Sequence, residues 1–150
     1  MNPLLSSIFH YISYLQYPLI LVGLYFVIKP YFGGFEYLKE NPDLIFKNLN
    51  SCLLFMGLGI SFSSLQDTTK TQNKFSENIW KNPKKGKKMI ILITVQILFF
   101  LSIGLIGYFS QIEILNKISV GMIILGLGMF GFLKSAIEVF ENHRTDNKDV

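Results

Sequence analysis

The chain has 150 residues, 50% of them hydrophobic and only 16% charged, with a formal net charge of +4 and a mean hydropathy of +0.39. A soluble domain of this size carries about 25% charge, so the deficit points to a lipid solvent and argues against an ordinary soluble fold. Cys52 is the one cysteine, which rules out an intrachain disulfide and any paired-cysteine metal motif; His10 and His143 lack ligand-spaced neighbours, so neither metal nor cofactor is expected.

The opening residues, MNPLLSSIFHYISYLQYPLI, lack the basic start and small-residue cleavage pattern of a secretory signal, and the N-terminus is expected to be retained. Crossing a hydrocarbon core of about 30 Å takes around 20 apolar residues. The first predicted span covers residues 11–31, apolar from Tyr11 to Ile28, with Pro18 as a kink or as the start of its straight part. The following YFGGFEYLKENPDLIF carries two turn signals, Gly33-Gly34 and Asn41-Pro42, and reads as a segment at the outer interface. The second span, 44–65, has an apolar centre of only 11 residues, CLLFMGLGISF; extending it puts Lys47, Asn48 and Asn50 in its first two turns, from where they reach the interface.

Residues 66–88 then read as a basic loop. The third span, 89–109, is free of charge, and the fourth, 117–138, has Lys117 and Lys134 near its ends, placed to snorkel. The short 110–116 connection makes spans three and four a hairpin, and 142–150, NHRTDNKDV, reads as a short polar tail. The expected fold is one all-α membrane domain, 1–141, with four transmembrane helices in an antiparallel bundle.

An even number of spans puts both termini and the central loop on one side. That side holds Lys70, Lys74, Lys81, Lys84, Lys85, Lys87, Lys88, Lys134, Arg144 and Lys148, against Lys29, Lys39, Lys47 and Lys117 on the other. The positive-inside bias assigns the richer side to the cytoplasm. The expected location of this four-span chain is a bacterial inner (plasma) membrane; separately, one alanine and thirteen lysines against one arginine fit an AT-rich genome.

Candidate sites follow from polar and small residues in this frame. GLGMFG, at Gly126 to Gly131, has the letters of a dinucleotide fingerprint, but that motif needs a strand before it and a helix opening after it. In mid-span, glycines instead let helices approach closely. Gly121, Gly128, Gly131 and Ser135 share one face of span four, and Gly57, Ser61 and Ser64 one face of span two. These faces are expected to be contact surfaces, with each other or between subunits. In size and helix number the chain is similar to the small multidrug resistance transporters, which depend on a buried glutamate in the first helix. No Glu lies between Tyr11 and Ile28, which argues against that mechanism.

At the polar end of span two, Ser63, Gln66 and Asp67 form a candidate ion or partner site, with the carboxylate as charge and hydroxyls as neutral oxygens. The structural alternative has the hydroxyls bonded to carbonyls of the preceding turn. Lys81, Lys84, Lys85, Lys87 and Lys88 are expected to contact anionic lipid headgroups, at about 1 kcal/mol per Lys. Trp80, with Phe75 and Ile79 nearby, is the expected interface anchor. Glu138, Glu141 and His143 read as a solvated helix end, no catalytic constellation emerges, and no stacking basic surface for nucleic acid is present. The expected role is an interaction or structural subunit, either a homo-oligomer or part of a membrane complex. The alternative is a passive oligomeric channel or small transporter, with spans two and four as candidate linings.

Overall fold

A computed structural model describes residues 3–69 and 73–147; Lys70 and Lys148 lie outside the described residues. The chain is all-helical there: α1 (Pro3–Ser13), α2 (Gln16–Ile28), α3 (Gly34–Glu40), α4 (Asp43–Ser63), α5 (Lys74–Trp80), α6 (Pro83–Phe109) and α7 (Glu113–His143). Short 3-10 turns at Lys29–Gly33 and Thr145–Asn147 complete it. Four helical segments, Ser7–Glu40, Asp43–Ser63, Pro83–Phe109 and Glu113–His143, are long and apolar enough to cross a membrane.

The first segment breaks at Tyr14 and Leu15, three to four residues before the proline expected to mark it. Pro18 has no N–H to give Tyr14 O and its ring crowds that carbonyl. The chain responds with tighter bonds, Leu15 N to Ile12 O at 3.0 Å and Tyr17 N to Tyr14 O at 3.1 Å. The segment beyond α2 is also helical, and Gly34, at φ 85°, supplies the left-handed residue that joins the 3-10 turn to α3.

Among its described residues, the predicted basic loop is largely helix. Asn82 caps α6, its Oδ1 accepting from the amides of Lys84 (3.0 Å) and Lys85 (3.1 Å), and Pro83 stands at the first helical position. Lys84, Lys85, Lys87 and Lys88 therefore project from the first turns of α6. With 27 residues, α6 is about 40 Å long, so its lysine end extends past a 30 Å hydrocarbon core.

The helices pack in the order α2, α4, α7, α6: α2 against α4, α4 against α7 and α7 against α6, with no extended contact between α2 and α6. The α4–α7 pair is the centre of the molecule. Beside it, Ile93 and Ile97 of α6 are almost wholly buried with Leu125 and Met129 of α7.

Candidate functional site

The seam between α4 and α7 follows one rule. Asn50 Oδ1 accepts a 2.7 Å hydrogen bond from the amide of Gly121, and Ser135 Oγ donates at 2.8 Å to Ser64 O; the partners in each pair are 71 residues apart. Midway, Gly57 lies against Gly128 at the same offset, and a methyl group on Gly128 would overlap Gly57 O. Steps of seven on both helices, in one register, are the repeat of two parallel helices wound around each other. Small residues set the approach: a Cβ on Gly57 would fall 2.7 Å from Ile124 O, and one on Gly131 2.9 Å from Ser64 Oγ.

The spacing in the sequence thus belongs to a contact within the chain. Asn50, read from the sequence as an edge residue, is a member of the seam. Gly126 points elsewhere, toward Leu101 of α6, so the glycines of GLGMFG serve two neighbours. Spans two and four, the helices considered as pore linings, meet at backbone contact where Gly57 faces Gly128.

The hydroxyls at the end of α4 bond to their own helix: Ser61 Oγ to Gly57 O at 3.0 Å, Ser63 Oγ to Ile60 O at 2.7 Å and Ser64 Oγ to Ser61 O at 2.7 Å. Asp67 Oδ1 accepts from Thr69 N (3.0 Å) and Thr69 Oγ1 (2.7 Å), a local turn that holds the carboxylate at the surface. Each hydroxyl keeps acceptor capacity after donating its proton.

Beside these groups lies a cavity of about 210 Å³. Its apolar wall is Ile79, Trp80, Met89, Phe132, Ala136 and Val139, with Phe75 at the outside; Ser63, Gln66, Asp67, Thr68, Ser76 and Ser135 are its polar lining. The structure therefore brings Ser63, Gln66 and Asp67 together with Trp80 and the start of span three, an association that their positions in the chain do not reveal.

The expected anchoring of Trp80 in the lipid interface is corrected: the residue is 8% exposed and belongs to the buried cluster with Ala136 and Phe140. It fastens α5 to the helices, while Phe75, at 75%, is the outward aromatic of that helix. Gly86 completes the joint, since a Cβ there would overlap the Phe140 ring.

The residues following α7 are docked. The amide and hydroxyl of Thr145 each donate to Lys81 O at 3.2 Å, and Asn142 Nδ2 donates to Thr68 O at 3.3 Å. The end of α7 therefore ties down both connections flanking α5. Arg144 lies over Phe140, 5.6 Å from the ring centroid, and reaches Glu141 at 3.1 Å and Asp146 at 3.2 Å. The polar composition of NHRTDNKDV gives no sign of this docking, because its bonds go to a backbone carbonyl more than 60 residues away.

Comparison of the chain with protein-family models, with curated proteins and with solved structures finds no match. Chemistry at the capped end therefore has to be read from its own groups.

Lys81 is 2.5 Å from Glu77, and that carboxyl is held below the usual carboxylate range, first by the Lys81 hydrogen bond and then by its charge. Lys84, Lys85, Lys87 and Lys88 make no ion pair among the described residues. At the other end of the seam, Lys117 Nζ is 2.7 Å from both Asp43 and Glu113, which links the starts of α4 and α7. Those carboxylates are exposed, so the link adds little energy. Lys134 pairs along α7 with Glu138 at 3.2 Å.

Proposed function

We propose that the chain is a multi-pass protein of a bacterial inner (plasma) membrane that works by contact, as a homo-oligomer or an accessory subunit of a larger membrane complex, without catalysing a reaction. The open row of helices carries this reading. Because α2 and α6 make no extended contact, both ends of the row present large apolar side chains, Leu21 and Tyr25 on α2, Val95 and Phe99 on α6. The seam braces the row from within, so a partner helix would meet a preformed surface and little ordering entropy would be lost on docking.

The small-residue faces are occupied within the chain, which directs the partner to these flanks. In the bilayer the spans alternate in direction, a reading supported by Gly107 against Leu115, Gly86 against Phe140, and Gly59 against Gln16. The lysine-rich start of α6 and the docked C-terminal turn lie together at one end, which we assign to the cytoplasm on the positive-inside bias. There the lysines face anionic lipid headgroups; nucleic acid is not a partner in this reading.

The alternative, a passive oligomeric channel or small transporter, would need a polar lining outside the closed seam. Purification of the full chain from its native membrane in mild detergent, followed by mass spectrometry, separates the two. A stoichiometric membrane partner or a defined homo-oligomer, without conductance in liposomes, supports the contact role. A monomer with no partner, or ion conductance from the purified protein, overturns it.

A further inference from the structure

Four lysines at the start of α6 sit where the helix dipole disfavours them. Positive charge near a helix N-terminus is unfavourable, yet Lys84, Lys85, Lys87 and Lys88 fall in the first six positions, and the first turn contains no acidic residue. None is in an ion pair among the described residues. This end of the helix calls for an external anion. Asn82 already holds the amides of Lys84 and Lys85, so the ammonium groups rather than the backbone would hold it.

The cavity adjoins the same stripe of α6. Met89 forms part of its wall, and Lys85 stands one helical turn before Met89 on that side. Met89 begins the apolar part of span three and Ser63 ends α4, so the cavity lies at the level where the spans leave the hydrocarbon. It is wide enough for about seven waters at liquid density, but much of its wall is hydrocarbon and aromatic. An acyl segment fits such a wall better than solvent does.

We propose that this cavity receives part of an acyl chain of one anionic phospholipid, whose phosphate is held by Lys85, on the helix face of Met89. The lysine supplies the charge complement and the cavity the single seat. This goes beyond diffuse attraction of a basic segment to a charged leaflet. It rests on the membrane reading of the chain and is independent of whether a protein partner exists.

The test is native mass spectrometry of the full chain in detergent, titrated with phosphatidylglycerol or phosphatidylcholine. The expected result is one phosphatidylglycerol retained per chain at concentrations where phosphatidylcholine is not. Lys85→Gln should weaken retention about fivefold, the equivalent of ~1 kcal/mol for one lysine. Ser76 lines the cavity from the short helix α5. Ser76→Trp, which adds an indole to the lining, should abolish the single retained lipid, whereas Ser76→Ala keeps it. Soluble glycerol phosphate should fail to compete. Equal retention of both lipids, binding insensitive to Ser76→Trp, or full competition by glycerol phosphate would each overturn the proposal.

Discussion

Gly57 and Gly128 meet so closely that the carbonyl of one occupies the space a side chain would need on the other. Alanine normally stabilises a helix interior over glycine by about 1 kcal/mol. At Gly128 the sign should reverse, because the obstacle is backbone and yields only if α4 and α7 separate. Gly128→Ala is expected to lower stability by about 1–3 kcal/mol, the range of overpacking. At Gly131 the nearest atoms are side-chain ones, Ser64 Oγ at 2.9 Å and Ser64 Cβ at 3.2 Å, so the clash is milder than with the backbone at Gly128. Gly131→Ala should cost less than Gly128→Ala, about 1 kcal/mol or below. Unfolding in mixed detergent micelles measures both; a gain in stability from Gly128→Ala would contradict the seam.

The Asn50 to Gly121 bond pins the register of the same two helices. Side-chain hydrogen bonds within membranes average about 0.6 kcal/mol and reach about 1.7. Asn50→Ala should cost an amount in that range, and amide exchange at Gly121 should accelerate relative to Met122. Exchange that is unchanged in the variant would show that Asn50 does not hold that amide.

Much of this seam is legible in the sequence. The recurrence of Gly57, Ser61 and Ser64, and of Gly121, Gly128, Gly131 and Ser135, marks two faces by helical spacing alone. What spacing does not say is which face meets which, since a glycine stripe suits a neighbour in the chain and a neighbouring subunit equally. Spacing does not single out Asn50, because next to Lys47 and Asn48 it looks like one more polar residue at a helix edge. At the capped end, Asn82-Pro83 is an N-cap followed by a favoured first helical residue, a local signal that was readable. Trp80 was placed outward for the opposite reason: only tertiary contacts with α7 bury it.

Phe140 connects the end of α7 to the lysine segment. Its side chain is 3% exposed and lies on Gly86, with Arg144 stacked above it. Phe140→Ala should cost about 3–5 kcal/mol, as for other buried aromatics. Hydrogen exchange should also rise at Lys81 to Gly86 and at Thr145, whose amide donates to Lys81 O. Protection that persists at Thr145 in this variant would mean that the C-terminal turn docks independently of the ring.

The Glu77–Lys81 pair gives the capped end a pH dependence with a defined sign. Because Lys81 holds the folded-state carboxyl below its ordinary value, the unfolded chain binds the proton more readily. The stabilisation is present above the unfolded value of about 4.3 and is lost as the pH falls through the depressed folded value. The pair is exposed, so the effect is small. Thermal unfolding from pH 6 to 3 should show a slightly steeper acid loss in the parent than in Glu77→Gln; parallel curves would argue against the pairing.

Disulfide trapping across the seam is the most direct measurement. In a Cys52→Ser background, Ser64→Cys combined with Gly131→Cys brings two thiols together, since a Cβ on Gly131 would lie 3.2 Å from Ser64 Cβ, close to the separation a disulfide bridges. The account predicts rapid oxidation to an intrachain disulfide in membranes, with the protein remaining monomeric on a denaturing gel. A disulfide-linked dimer, or no crosslink at all, would contradict it: the small-residue faces would then join subunits or not meet, and the flanks would lose their claim as the docking surface.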